Sequence, residues 1–426
     1  MTEPSRHAPP APAPPTRGVF ARLLGRIASG WRRRGNAVDP NAVDPNVSAP
    51  SVADRGAADT PGVNLIGYAR GGLGLGENLR RFAEAAQLAG QPFALIDFDR
   101  NLGDRARDSR LDAWIGTDNP HPVNVFFINA DQMPLAIEHF GAGFLAGRRN
   151  IGFWFWELEG FPAEWLPALE TVDEVWVASR FVGDAIRAHT RKPVRQVALP
   201  VSVELPRAFS RGEFGLPADP FLFLFSFDFH SFAQRKNPLA TIAAFRQAFP
   251  GGDEPAMLVV KSINGDRAPA LLAQIRAAAG GDPRIVLMDG FLARDPAMGL
   301  VSVADCYVSL HRAEGFGLGM AEAMWLGKPV IATAYSGNLD FTLPTNSCLV
   351  AATRVPVQPE EYPFGAGQHW AEPDVGQAAA HMRRLVAEPA WAQSAGQAGA
   401  EFIRTHHSAA ACVASLRAAL REAVRA

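Results

Sequence analysis

Cysteine is scarce in this 426-residue chain: Cys306, Cys348 and Cys412 are the only three, too scattered for a disulfide framework or a zinc site. A reducing, cytoplasmic setting is the expectation. A run of about 18 apolar residues is also lacking, which excludes a transmembrane helix, and the first residues lack the apolar core of a secretory signal. Net charge is nearly absent, with 41 basic against 43 acidic residues and a formal balance of -2, so the chain offers no global field for nucleic acid. Any anion must be held locally. Apolar residues are plentiful, at 48%, enough to bury the cores of two or three domains.

Residues 1–61 differ from the rest. They open on APPAPAPP, carry the tandem repeat NAVDPNAVDPN and hold few large apolar groups, the composition of a disordered extension. Within them, residues 17–34 place Val19, Phe20, Leu23, Leu24, Ile27 and Trp31 at helical spacing among Arg22, Arg26 and Arg32 to Arg34. That pattern is a basic amphipathic helix. Two readings stay open: peripheral docking on an anionic membrane at its inner face, or a helix packed on the protein or left in solvent.

From residue 62 the pattern turns globular. VNLIGY reads as a buried strand, ARGGLGLG as a glycine-rich turn and ENLRRFAEAAQLAG as a helix; strand candidates PFALIDF, VNVFFIN, NIGFWFW and EVWVAS follow. This first α/β domain spans 62–205. After a connector rich in Pro and Gly, a second domain spans 206–405: strands FLFLFSF, AMLVVKS, RIVLMDG, CYVSL and VIATAY alternate with helices PLATIAAFRQAF, APALLAQIRAAAG and one around Met320. Residues 406–426 form an Ala-rich helix, a candidate to cross back onto the first domain. Two Rossmann-like, doubly wound parallel sheets facing a cleft are expected, with ligands at the carboxyl ends of the strands.

The chemistry concentrates in CYVSLHRAEGFGLGMAEAMWLGKPVIATAYSGN. A strand ends, a glycine-rich loop follows, and a helix begins near Gly319. Gly315, Gly317 and Gly319 let backbone approach a ligand, and the free N–H groups of the helix start favour an anion. Glu314 and Glu322, eight positions apart, are carboxylates suited to accept from sugar hydroxyls. In FSFDFHSFAQRKNP, Arg235 and Lys236 stand just before a helix start, paired cations that suit a diphosphate.

At these residues the chain resembles glycosyltransferase family 4 of the GT-B fold, whose E-x7-E pattern is matched by Glu314 and Glu322 in EGFGLGMAE. The resemblance implies that Glu314 contacts donor-sugar hydroxyls, that Phe316 to Leu318 offer backbone to sugar and diphosphate, and that Glu322 binds the ribose. Asn264, Gly290 and Phe291 would lie at the nucleotide base. The family usually separates its Arg from its Lys, so the adjacency of Arg235 and Lys236 departs from its pattern. Asn338 and Asp340 either line the donor site or cap a turn.

In the first domain, Gly72, Gly74 and Gly76 precede a helix; the resemblance turns such a loop towards the diphosphate and the acceptor rather than a dinucleotide. Asp97 and Asp99 read as a strand end, not a metal site. Asn129 stands where many family members have a histidine, with Asp131 a possible substitute. Trp154, Trp156, Glu157 and Glu159 either shape the acceptor side or belong to the core and surface. The implied activity is retaining transfer of a hexose from a nucleoside diphosphate sugar to a glycan or lipid-linked acceptor in polysaccharide biosynthesis, without metal or other cofactor. Mannose carried on GDP is one candidate donor. A catalytically silent carbohydrate-binding or scaffold protein of the same fold is the alternative.

Overall fold

The computed structural model describes residues 61–100 and 108–425; the basic segment 17–34 lies outside them. The first sheet has seven parallel strands, β1 Val63–Gly67, β2 Phe93–Asp97, β3 Ile115–Gly116, β4 Val123–Phe127, β5 Arg149–Trp154, β6 Glu174–Val177 and β7 Val194–Gln196. They are ordered β3-β2-β1-β4-β5-β6-β7. The second has six, β8 Phe221–Asp228, β9 Ala256–Ile263, β10 Ile285–Asp289, β11 Cys306–Ser309, β12 Val330–Thr333 and β13 Cys348–Val350, ordered β10-β9-β8-β11-β12-β13. Helices cover both faces of such sheets, so the strands are mainly apolar rather than alternating: β1 and β4 are buried at every position, and their asparagines, Asn64 and Asn124, bond to each other.

An antiparallel hairpin, β14 Ala352–Pro356 with β15 His369–Pro373, stands outside both sheets. Sequence pattern did not predict it, nor β3, β7 and β13. β3 has two residues and β14 is largely exposed, so neither leaves an apolar run to find.

Each sheet contains a switch point. The chain lays β1, β2 and β3 to one side, then returns to place β4 on the other; β8, β9 and β10 are followed by β11 in the same way. Connections therefore leave in opposite directions from β1 and β4, and from β8 and β11, which opens a crevice at their carboxyl ends.

The helices that carry site residues or the domain crossing are α1 Gly74–Leu88, α2 Ala233–Lys236, α3 Pro238–Ala248, α4 Arg294–Val303, α5 Leu318–Trp325, α6 Pro389–His406 and α7 Ala409–Arg425. α3 opens on proline, whose fixed φ and missing N–H suit the first helical position.

Both sheets belong to one compact unit, while residues 211–218 of the connector, with the one-turn helix Arg211–Phe214, group separately. The chain passes between the sheets twice, and the two passages bond to each other: Val201 N–H donates to the His407 carbonyl (2.7 Å) and the His407 ring donates to the Leu199 carbonyl (3.0 Å). α7 then lies on α1, with Arg417 donating to Gln91 (3.0 Å) and to the Ala89 carbonyl (2.8 Å), and Arg195 of β7 pairs with Glu422. Cys306, Cys348 and Cys412 are buried free thiols. Among the described residues no helix is long and apolar enough to cross a membrane.

Candidate functional site

The loops after β8 and β11, the two strands at the second sheet's switch point, bring Arg235, Lys236 and Glu314 together. Asp228 ends β8 and accepts from the His230 N–H (2.9 Å). Phe232 and Asn237 then bracket the one-turn α2 with left-handed backbone, φ 58° and 57°. Asparagine tolerates that region better than most residues. So tight a turn sets adjacent cations on one short segment.

Arg235 is buried, and its Nη1 donates to the Ala313 carbonyl (2.7 Å) and pairs with Glu314 Oε2 (3.1 Å). Lys236 Nζ donates to Glu314 Oε1. Arg312 N–H donates to the Arg235 carbonyl (2.7 Å), fastening one loop to the other. Glu157, which follows β5 in the first domain, faces Arg235 at 3.8 Å and accepts from the Tyr362 hydroxyl at 2.5 Å. Two cations thus meet two carboxylates, and Arg235 Nε is buried without a hydrogen-bond partner among the described residues.

Burial alone would raise the Glu314 carboxyl, but Lys236 and Arg235 hold it down at about 2. Desolvation pulls Lys236 down against the attraction of Glu314, whereas for Arg235 the neighbouring carboxylates outweigh burial and raise the guanidinium further. His311 is fully buried, and desolvation lowers its pKa against the pull of Glu314. Its ring meets Ser309 Oγ (2.9 Å) and Asn338 Oδ1 (3.0 Å).

The Glu314–Gly315 backbone is clamped. Glu314 N–H donates to Ser336 Oγ (2.8 Å), Gly337 N–H to the Glu314 carbonyl (2.9 Å), and Ser179 Oγ, from the first domain, to the Gly315 carbonyl (2.6 Å). Phe316 is buried against Phe341 and His407. Gly317, at φ 100°, caps α5, which begins at Leu318, and Gly319 sits over the Tyr307 hydroxyl. Asn338 is an internal anchor, donating to the Thr333 carbonyl and Thr342 Oγ1 (both 3.0 Å). Asp340 accepts from Arg180 (2.7 Å) and Gln196 (2.7 Å) of the first domain.

After β9 and β10 lie Asn264, left-handed at φ 64° and donating to Asp228 (2.7 Å), Gly290 at φ 148°, and Phe291, which is 68% exposed. Glu322, on α5, is not beside Glu314's partners: its Oε1 receives Arg81 of α1 and Arg294 of α4 (3.1 Å).

In the first domain the placement of the glycine loop is corrected. Gly74 and Gly76 lie in the first turn of α1, and only Gly72 precedes it. Gly76 is glycine because a Cβ would fall 2.4 Å from the Gly71 carbonyl oxygen and 2.5 Å from that of Tyr68. Arg80 holds the loop inward through the Ala69 (2.9 Å) and Gly71 (3.0 Å) carbonyls, and Glu77 already brings negative charge to the helix start. Asn129 Oδ1 accepts from Phe155 N–H (2.9 Å), bracing the exits of β4 and β5, while Asp131 is exposed. Asp97 accepts from Arg70 N–H (3.1 Å), a structural bond. Trp154 and Trp156 are core residues.

Glu77, like Glu314, is held at about 2: burial would raise it, but Arg81, Arg294, Arg110 and Arg80 prevail. Both carboxyls start from 4.5 in the unfolded chain, so their stabilisation is complete above that pH and is lost as pH falls through 2. Unfolding between those limits should take up about two protons. Urea midpoints measured from pH 5 to 3 should fall steeply, and Glu77→Gln should flatten the slope; a flat wild-type profile would contradict the geometry.

Residues 231–358, which hold this cluster, match the model of the family described as Glycosyl transferases group 1. The chain is 23% identical over 355 residues to trehalose synthase of Rubrobacter xylanophilus, covering 77% of this chain and 75% of that protein. Sucrose-phosphate synthase from Thermosynechococcus elongatus shares the fold with a TM-score of 0.62 at 18% identity, over 85% of this chain and 98% of that one. HepE of Anabaena, solved in complex with UDP-glucose, does so with a TM-score of 0.61 at 13% identity, over 86% and 99%. The fold is the two-domain GT-B architecture. With the family match, it supports a glycosyltransferase.

Proposed function

We propose that the chain is a retaining glycosyltransferase of the family 4 type, moving a hexose from a nucleoside diphosphate sugar to a hydroxyl of a glycan or lipid-linked acceptor in polysaccharide assembly. The observation that carries the reading is the convergence of Arg235, Lys236 and Glu314 at the β8/β11 switch point, with the buried Arg235 Nε left without a partner among the described residues. A diphosphate oxygen supplies that partner. Lys236 and Arg235 then neutralise the charge that grows on the diphosphate as the anomeric bond breaks, where fixed charges contribute most to rate. Glu314, ionised at any working pH, exchanges part of its cation contacts for donor-sugar hydroxyls. The bond from the anomeric carbon to the diphosphate oxygen breaks with its electron pair leaving on the diphosphate. The acceptor oxygen bonds the same face of that carbon and passes its proton to the leaving phosphate. No protein nucleophile and no metal is needed.

Asn264, Gly290 and the exposed Phe291 form the base end of the donor site in this reading, and Glu322 the ribose contact. The UDP-glucose complex of HepE makes uridine diphosphate hexoses the donors to try first, with GDP-mannose beside them. The test is nucleotide release from UDP-, GDP- and ADP-sugars by the full chain with EDTA present, with and without glycan and lipid-linked acceptors. One donor should be consumed in an acceptor-dependent way, unaffected by EDTA. Glycan binding with no nucleotide release from any donor would favour the silent scaffold instead.

A further inference from the structure

We propose that Arg81 of the first domain is a positioning residue that fixes the Glu322 carboxylate of the second, so that recognition of the donor's ribose depends on contact between the two domains. The inference rests on the reading of Glu322 as the ribose ligand.

Arg81 lies in α1, 3% exposed. Its Nε donates to Glu77 Oε1 (3.0 Å), its Nη1 to the Pro200 carbonyl (3.4 Å) and its Nη2 to Glu322 Oε1. Arg294, at the start of α4, meets the same two oxygens: Nη1 lies 3.1 Å from both Glu322 Oε1 and Glu77 Oε1, and Nη2 donates to the Ser202 carbonyl (3.3 Å). Both guanidinium groups converge on one oxygen of Glu322. Among the described residues its Oε2 has no hydrogen-bond partner, although the side chain is only 8% exposed.

That asymmetry is the point. A carboxylate accepts through both oxygens, and pinning one with a planar, forked donor leaves the other in a fixed direction to accept from a vicinal diol. The fork is itself held from two sides, since Glu77 remains ionised among its four arginines. Spacing along the chain gives no sign of the pair, because 241 positions separate its members. Among the described residues of the second domain only Arg294 touches the Glu322 carboxylate, so without Arg81 that oxygen keeps one cation instead of two.

The test compares the affinity of the full chain for a nucleoside diphosphate with that for its 2′,3′-dideoxy analogue, by calorimetry, using whichever of UDP, GDP and ADP binds. A hydrogen bond to a charged group corresponds to roughly 10–100-fold in affinity, so the wild type should prefer the ribonucleotide by about that factor. Arg81→Met should reduce the preference to about threefold or less through loss of ribonucleotide affinity, while the dideoxy affinity stays near that of the wild type. Arg81→Lys, which keeps the charge but not the fork, should fall between them and serves if the methionine variant does not fold. Undiminished preference in a folded Arg81 variant would overturn the positioning role and leave Glu322 as ribose ligand. Equal affinity for both nucleotides in the wild type would overturn the ribose reading itself.

Discussion

Lys236→Ala is expected to lower kcat for nucleotide release by about 10²–10³, with donor KM changed far less. The reason lies in when the charge is needed. The diphosphate gains negative charge as the anomeric bond breaks, so a cation at that point stabilises the transition state more than the bound donor. Lys236 is partly buried beside Glu314 and Arg235, where water does little to screen it. Arg235 alone cannot make up the loss, because its Nη1 is shared between the Ala313 carbonyl and Glu314 Oε2. The variant should fold, because Glu314 keeps Arg235 as its partner. Steady-state kinetics with the preferred donor decide the matter: a kcat within about threefold of wild type would remove Lys236 from the machinery.

Gly337→Ala should be the most damaging single methyl group in the second domain. A Cβ there would stand 2.2 Å from the Gly315 carbonyl oxygen, 2.6 Å from its carbon and 2.9 Å from the Glu314 carbonyl oxygen. All three are backbone atoms, so no rotamer change relieves the clash. Overpacking of this kind costs about 1–3 kcal/mol. Activity should suffer more than stability, because the displaced segment carries Glu314, and a shift of about 1 Å near the reacting atoms costs on the order of 10² in rate. Urea unfolding and nucleotide release measured on the same preparation separate the two effects. Stability within about 0.5 kcal/mol of wild type and full activity would show that the Ser336–Gly337 turn does not hold the loop.

Much of the second domain was legible in the sequence because a strand buried on both faces must be an unbroken apolar run. FLFLFSF, AMLVVKS and CYVSL became β8, β9 and β11, whose order then placed Arg235, Lys236 and Glu314 on neighbouring loops. The β14/β15 hairpin left no such mark, since most of β14 faces solvent. The first domain's glycines misled for a physical reason: Gly74 and Gly76 resemble a flexible loop, but Gly76 is small so that α1 can press on its own entry. Motif spacing could rank Glu322 as a ligand; it could not reveal Arg81 or Arg294, whose partnership exists only once both domains are folded. His311 was equally hidden, since it acts through a neighbour on another segment of the chain, and Glu157, named only for the acceptor side, turns out to face Arg235.

The return of α7 to the first domain has a consequence for biosynthesis. Cys412, Val413, Leu416, Leu420 and Ala423 of α7 are buried, so part of the first domain's apolar surface is covered by residues translated after the whole second domain. The seven strands of the first sheet leave the ribosome early and wait, with that surface open, for more than two hundred residues. Domains generally fold as units in order of synthesis, and exposed apolar surface in that interval invites aggregation. The nascent first domain is therefore the stage of synthesis at which this apolar surface is most open to association.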